Sequence, residues 1–154
     1  MRSDLMGIIF SNANEGLVRD LTEVRCLGSV PFGGRYRLID FALSNMVHVG
    51  VSKVGVITKS NYRSLLDHLG SGKPWDLARK KDGISLFPPY INYGSGQRGS
   101  RVEELSSILS FLNMSKQEYV FLCDCDVVCN IDLERMMQYH LDRGADVTLA
   151  YRRG

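Results

Sequence analysis

Two aspartates stand two residues apart, at Asp124 and Asp126, directly after an apolar segment. Residues 119–123 predict a buried strand, and open α/β sheets bind their ligands at the carboxyl ends of such strands. Residues two apart on a strand share a face, so we expect the two carboxylates to project together. Carboxylate oxygens suit Mg²⁺, which keeps waters and substrate phosphates in its coordination shell. Asp124 and Asp126 are therefore a candidate Mg²⁺ site; the alternative is a pair of solvated loop carboxylates.

Cysteines surround the same aspartates, at Cys123, Cys125 and Cys129, and His140 follows on a predicted helix. This spacing differs from the usual structural zinc patterns, and the cysteines point to different sides of one strand. We expect them to be small buried hydrophobic side chains, and His140 to be semi-buried. The amino terminus lacks the features of an export signal, so the thiols are expected to be reduced and the protein cytoplasmic.

A second candidate is the polar loop after the apolar run of residues 5–10, which holds Ser11, Asn12, Ala13, Asn14 and Glu15. A loop that follows the first strand of an α/β sheet is a common place for a phosphate. Such loops need glycines, because the backbone must approach the phosphate oxygens closely. This loop offers only Gly16, and a carboxylate at position 15 would repel a triphosphate. It has the location of a nucleotide crevice without the usual composition.

A third candidate is Gly33, Gly34 and Arg35, with Arg37 close behind. The two glycines predict a tight turn that leads into a helix. The arginines favour an anion site only weakly, and solvated side chains are the alternative.

The elements that must position these residues alternate along the chain. Apolar runs predict strands, and apolar residues at helical spacing predict helices. We expect strands at 5–10, 54–58, 84–87, 119–123 and 146–151, and helices at 37–49 and 62–69. A third helix begins at Ser100, and its buried face consists of Val102, Leu105, Ile108, Leu109 and Leu112. A fourth helix follows an Asn130 cap, and its inner face consists of Leu133, Met136, Met137 and Leu141. Ser100 and Glu103 fit a capping box, and His68, near a helix end, is expected to be exposed. This order predicts an α/β fold, a mostly parallel sheet with helices on both faces.

Composition excludes several classes of protein. The chain has 19 basic and 17 acidic residues, a net charge of +2, so no basic field indicates nucleic acid or an anionic membrane. Apolar residues make up 44% of the chain, which excludes disorder as the default. The longest apolar run has six residues, whereas a membrane span needs roughly 20. Residues 70–99 form a long irregular stretch, a candidate binding or regulatory region.

Residues 30–45, VPFGGRYRLIDFALSN, resemble a segment of the bacterial glucose-1-phosphate adenylyltransferases (ADP-glucose pyrophosphorylases). Similar segments follow at 72–77 (GKPWDL), 88–90 (PPY) and 145–148 (ADVT). The resemblance implies a Rossmann-like nucleotidyltransferase domain that transfers adenylyl from ATP to glucose 1-phosphate, with Mg²⁺ on the matching Asp126. It also implies that residues 1–154 are the truncated N-terminal part of that domain, with the rest and a C-terminal β-helix absent here.

The departures from this family include the first loop and the segment that precedes Val30. Two family glycines fall on Asn12 and Ala13, a third on Glu15, the arginine on Leu17 and a lysine on Leu27. This pattern resembles the D-type subunit, a weakly active or inactive paralogue that modulates a catalytic partner. The resemblance thus implies a regulatory subunit in a hetero-oligomer with a catalytic glucose-1-phosphate adenylyltransferase subunit.

Two alternatives stay open at this point. The first is an active adenylyltransferase that holds its nucleotide differently and keeps Mg²⁺ on Asp126. The second is a sensing module, in which the 70–99 stretch binds a sugar-phosphate effector through Arg79, Lys80 and Lys81. ATP or ADP-glucose is the other effector that stays open.

Overall fold

The computed structural model describes residues 4–12, 15–78, 82–89 and 100–151. Its strands are β1 (Leu5–Phe10), β2 (Pro31–Phe32), β3 (Tyr36–Arg37), β4 (Lys53–Ile57), β5 (Gly83–Phe87) and β6 (Tyr119–Asp124). Its helices are α1 (Arg19–Thr22), α2 (Leu38–His48), α3 (Arg63–Leu69), α4 (Arg101–Ser107), α5 (Leu109–Asn113) and α6 (Leu133–Arg143). Four strands form a parallel sheet in the order β5-β4-β1-β6, and β2 pairs with β3 in a short antiparallel hairpin.

Strand β1 lies in the middle of the protein and is buried along its whole length. Its side chains alternate between the two faces of the sheet. Leu5 and Ile9 join the core formed with α2, α3 and α6, whereas Met6, Ile8 and Phe10 join a second core with α4 and α5. Helices thus cover both faces, and the predicted α/β fold class is confirmed. This burial also explains why the strand is continuously apolar.

Glycine at position 7 lets α2 approach the sheet. A Cβ on Gly7 would overlap Sδ of Met46, a fully buried side chain of α2. The predicted tight turn of the third candidate is also present. Gly33 and Gly34 have φ of +60° and +90° between β2 and β3, a backbone region that glycine adopts without steric strain.

The helix predicted from Ser100 is interrupted at Ile108, which leaves the helical conformation with φ −110° and ψ 16°. The capping box is confirmed, because Ser100 Oγ accepts a hydrogen bond from Glu103 N at 3.3 Å. Leu105, Ile108 and Leu112 pack as predicted. Val102 and Leu109 were predicted to be buried and are 71% and 51% exposed. Val102 lies in the first turn of α4, and Leu109 follows the break at Ile108, which interrupts the apolar face.

Three predictions near the carboxyl end are wrong. The cap of α6 is Asp132, not Asn130, since Asp132 Oδ1 accepts a hydrogen bond from Arg135 N at 2.9 Å. Leu141 was predicted to lie on the inner face of α6 and is 38% exposed. Residues 146–151 form no strand, because no described strand lies alongside to complete a ladder of backbone hydrogen bonds. In the described ranges, every helix is too short or too polar to cross a bilayer.

Candidate functional site

The carboxyl ends of β1, β4 and β6 meet at one edge of the sheet. Ser11 follows β1, and its backbone N–H donates to Ile57 O of β4 at 3.0 Å. On the other side, Cys125 N donates to Phe10 O at 3.2 Å, which ties the end of β6 to β1. Gly28 N donates to Ser11 O at 3.0 Å. The first and second candidate groups therefore lie side by side, as expected for the strand ends of an open α/β sheet.

Asn12 closes the loop after β1 onto the loop after β4. Its Oδ1 accepts a hydrogen bond from Lys59 N at 2.8 Å, and the buried Ser11 Oγ lies 2.8 Å from the same oxygen. Backbone N–H groups at strand ends are donors that an anionic ligand can use. In this protein the Lys59 N–H already has a partner within the chain. That partner is the side-chain amide of Asn12, at a position where the family resemblance implies a glycine.

Asp124, the last residue of β6, is held by an arginine that sequence analysis did not identify as a site residue. The guanidinium of Arg101, the first residue of α4, forms an ion pair and hydrogen bond with Asp124 Oδ1. The same guanidinium stacks 4.5 Å from the ring centroid of Phe10. The hydrogen bond to Asp124 raises the pKa of Arg101, to which the charges of Glu104 and Asp126 also contribute. Arg101 is thus a permanently charged group fixed over the ends of β1 and β6.

Helix α4 also contacts the end of β4. Lys59 Nζ lies 2.5 Å from Glu104 Oε1, and the Glu104 side chain is only 16% exposed. The two ion pairs of α4, Lys59–Glu104 and Arg101–Asp124, therefore span the strand ends from β4 to β6.

Cysteine side chains lie beneath these charged groups and are free thiols. Cys125 is fully buried, and its Sγ donates to Ser11 O at 3.3 Å. Burial, with the nearby Asp124 carboxylate, raises the pKa of Cys123 to about 12. Burial and the charge of Asp126 likewise raise the pKa of Cys125. Neutral thiols of this kind act as small apolar groups, and Cys26 is buried in the same way.

The predicted Mg²⁺ ligands fit a metal poorly. Asp124 and Asp126 are both half-buried, and both act electrostatically on the Arg101 guanidinium. Asp124 already carries a positive partner, so a metal at this strand end would compete with the arginine. Among the residues that the structure describes, no three His, Cys, Asp or Glu side chains are grouped to hold a metal ion.

The glycine–arginine turn lies on the exposed β2–β3 hairpin. Arg35 extends over the ring of Tyr36, with Cζ 5.5 Å from the ring centroid. Arg37 supports the fold instead, because it donates to Ser64 O of α3 at 2.6 Å.

One histidine prediction is wrong. His68 was expected to be exposed, but its Nε2 lies 2.7 Å from Asp40 Oδ1 and its side chain is 20% exposed. The packing of α3 against the start of α2 produces this contact. His140 is half-buried as predicted, with Nδ1 2.8 Å from Thr148 Oγ1.

Several predicted residues lie outside the described part of the chain: Ala13, Asn14, Arg79, Lys80 and Lys81. Glu15 begins a 3-10 turn, Glu15–Leu17, and its backbone alone is described. Sequence reasoning missed Arg101, Lys59 and Glu104. One signal could have indicated Arg101: a cation in the first turn of a helix is opposed by the helix dipole and needs a compensating partner.

Known proteins similar to this chain indicate the family to which it belongs. The family model described as Nucleotidyl transferase matches residues 17–153. The "Glycogen biosynthesis protein GlgD" of Bacillus subtilis is 41% identical over 153 residues, which are 99% of this chain and 44% of the relative. Its counterpart from Geobacillus stearothermophilus is 39% identical over 100% of this chain and 45% of the relative. A glucose-1-phosphate adenylyltransferase from Clostridium novyi is 31% identical over 97% of this chain and 40% of the relative.

The chain thus spans less than half the length of these curated relatives. A crystal structure assigned as a glucose-1-phosphate thymidylyltransferase from Bacillus anthracis matches the fold with a TM-score of 0.70. That match covers 90% of this chain and 50% of the other at 16% identity, so it bears on the fold alone. The predicted resemblance to the adenylyltransferase family, and to its D-type members in particular, is confirmed by these relatives.

Proposed function

Because this chain belongs to the nucleotidyl transferase family, matched over residues 17–153, we propose that it is part of a glycogen-synthesis subunit. That subunit modulates a catalytic glucose-1-phosphate adenylyltransferase and has lost most of its own activity. The observation that carries this proposal lies at the strand ends, where the Lys59 N–H is bonded to Asn12 and the Asp124 carboxylate is bonded to Arg101.

The names of the relatives support a role in glycogen synthesis. Two relatives at 39–41% identity over the whole chain are glycogen biosynthesis proteins. Glucose-1-phosphate adenylyltransferases match at 31% for the Clostridium novyi protein and, over 132 residues, at 41% for the Thermotoga neapolitana protein. The corresponding reaction converts ATP and glucose 1-phosphate to ADP-glucose and pyrophosphate. We place this protein in the cytoplasm with the metabolites of that reaction.

The geometry supports the loss of activity. Nucleotidyl transfer depends on positioning the reactants and on stabilising the charge that develops in the transition state. Asn12 accepts a hydrogen bond from the Lys59 backbone N–H. The family resemblance implies that phosphate-binding glycines, an arginine and a lysine are replaced in this chain. Each lost charge-assisted hydrogen bond removes about 1.5–3 kcal/mol, which is roughly tenfold to a hundredfold in rate.

A bound Mg²⁺ is the family expectation, and it would neutralise phosphate charge during transfer. Asp126 is the aspartate at the matching family position, but the predicted ligands fit a metal poorly beside the Arg101 guanidinium. The proposal requires no such metal for the modulating role.

The experiment that tests this function is ADP-glucose synthesis with ATP, glucose 1-phosphate and Mg²⁺. The protein is assayed alone and mixed with the catalytic subunit of the same organism. We expect little turnover alone and a changed maximal rate or substrate affinity on mixing, with co-elution of the two chains in size-exclusion chromatography. An unrelated globular protein at equal concentration is the control.

Robust turnover by the protein alone would contradict the proposal and support an active enzyme with a different nucleotide pose. The variant Asp126→Asn tests whether any such activity depends on a metal held by Asp126. A carboxylate that holds metal is needed for turnover, so turnover that survives this change would exclude a metal-dependent role for Asp126.

A further inference from the structure

The position of Arg101 is unfavourable unless something compensates for it. It is the first residue of α4, at the end where the helix dipole is positive and where acidic residues are preferred. Its guanidinium is half exposed, at 48% for the side chain, yet it is not directed freely into water. It bonds to Asp124 and stacks on Phe10. Two independent contacts therefore hold this charge in one place.

That place is the junction of β1 and β6. Phe10 ends β1 and Asp124 ends β6, and Phe10 and Asp124 are paired in the parallel register. Asp126 adds its charge to the field at the guanidinium, after Asp124 and Glu104. An arginine is effectively always protonated, and the bond to Asp124 raises its pKa further. The cation is thus constant over the whole physiological pH range.

A guanidinium and a divalent metal compete for the same carboxylate. Mg²⁺ binds through one or two carboxylates, and it would have to displace the guanidinium from Asp124. Even on Asp126 alone, it would lie beside a fixed positive charge that repels it.

We propose that Arg101 is a built-in cation that takes the place of a divalent metal at the end of β6, so that this strand end does not bind Mg²⁺. The ion pair Arg101–Asp124 neutralises the carboxylate and blocks access to it. The crevice is consequently independent of divalent metal. This inference goes beyond the proposed function, because metal binding is measured without any assay of ADP-glucose synthesis.

The test titrates the purified protein with Mn²⁺, a stand-in for Mg²⁺ whose free concentration is read by electron paramagnetic resonance. The variants are Arg101→Gln, which removes the charge, and Arg101→Lys, which retains it. Arg143→Gln is the matched control, because Arg143 also stacks on an aromatic ring, Tyr139, but lies on α6. Circular dichroism and thermal unfolding establish that each variant is folded.

We expect weak Mn²⁺ binding by the unsubstituted protein, Arg101→Lys and Arg143→Gln. Arg101→Gln should bind Mn²⁺ roughly tenfold more tightly or better, since a like charge has been removed from the carboxylates. Adding Asp124→Asn to Arg101→Gln should abolish that gain. No gain in Arg101→Gln would overturn the proposal.

A second measurement keeps the proposal testable if Arg101→Gln does not fold. Asp124→Asn alone, in the otherwise unsubstituted protein, should leave Mn²⁺ binding unchanged, because Asp124 is occupied by Arg101. If Asp124→Asn weakens an existing Mn²⁺ site, the carboxylate already serves a metal and the proposal is wrong.

Discussion

Single side chains, rather than backbone conformations, decide what the strand ends can bind. Asn12 is bonded to Lys59 N, and Arg101 to Asp124. Each of these bonds satisfies a polar group within the chain. A ligand that uses the same polar group must first break the bond that is already formed. Exchanging one hydrogen bond for another yields little net free energy. A ligand therefore gains little by replacing either bond.

The cysteines provide a prediction at the same scale. A thiolate is the reactive form, and burial raises the pKa of Cys123 to about 12. At pH 8 we expect Cys123 to react with iodoacetamide roughly a thousandfold more slowly in the folded protein than in denaturant, where its pKa is about 8.5. Peptide mass spectrometry after timed labelling measures both rates. Similar rates in the two states would show that the thiol is accessible and ionised.

The same raised pKa has a consequence for stability. Folding favours the neutral thiol, because the folded pKa lies above the unfolded one. The stability from this preference is therefore complete below the unfolded pKa and is lost as the pH rises toward the folded pKa. The loss falls in the alkaline range, above about pH 8.5, and not at neutral pH.

The start of α2 shows how elements are held together. Asp40 Oδ2 accepts from Arg37 N at 2.9 Å, which caps the helix, and Asp40 Oδ1 contacts His68 of α3. The residue is 7% exposed, so its two partners lie largely out of water. By contrast, Asp132 caps α6 at an exposed position. One aspartate joins two helices, and the other only begins one.

We therefore expect Asp40→Ala to destabilise the protein more than Asp132→Ala does. Loss of an exposed cap lowers the free energy of unfolding by about 1 kcal/mol. Loss of the buried cap also leaves backbone and imidazole groups unpaired, for a total of about 2–4 kcal/mol. Urea unfolding followed by circular dichroism gives both values. Equal losses would mean that the contact with His68 adds nothing to stability.

At the scale of the whole molecule, one edge of the sheet formed by the described strands is uncovered. β6 is an edge strand, and Val120 and Leu122 are 44% and 47% exposed. A cavity of about 490 Å³ lies between β6, α6 and residues 146–149. Val147 and Leu149, predicted to lie in a strand, are more than 80% exposed. Exposed edges and apolar patches of this kind mark surfaces that a further element covers, which supports the proposal that residues 1–154 are part of a larger domain.

Leu122→Lys tests this proposal, because its expected effect on stability differs between the 154-residue protein and a longer chain. In a 154-residue protein the lysine lies on an exposed edge and should reduce self-association, measured by light scattering, at little loss of stability. In a longer chain that carries the rest of the domain, the same lysine is buried and should destabilise by about 3 kcal/mol or more. Val24→Lys is the matched control, since Val24 is 74% exposed away from the sheet edge. Equal tolerance of both substitutions in the longer chain would refute coverage of β6.

Features that depend on neighbouring residues could be read from the sequence. The run LMGIIF predicts β1 because every side chain in it is apolar, and the pair Gly33–Gly34 predicts a turn because these residues accept positive φ. The capping box of Ser100 and Glu103 is also local, since its partners are three residues apart. Local interactions of this kind do not depend on the order of strands in the sheet.

Long-range contacts required the folded chain. Arg101 meets Asp124 across 23 positions, and Lys59 N meets Asn12 across 47. Neither pair follows from spacing, because the contact exists only once β1 lies between β4 and β6 and α4 lies across their ends. For the same reason residues 146–151 have strand composition without a strand, since a strand needs a partner that composition cannot supply. Residue types therefore indicated where the crevice lies, while the arrangement of strands and helices determined which charges face each other within it.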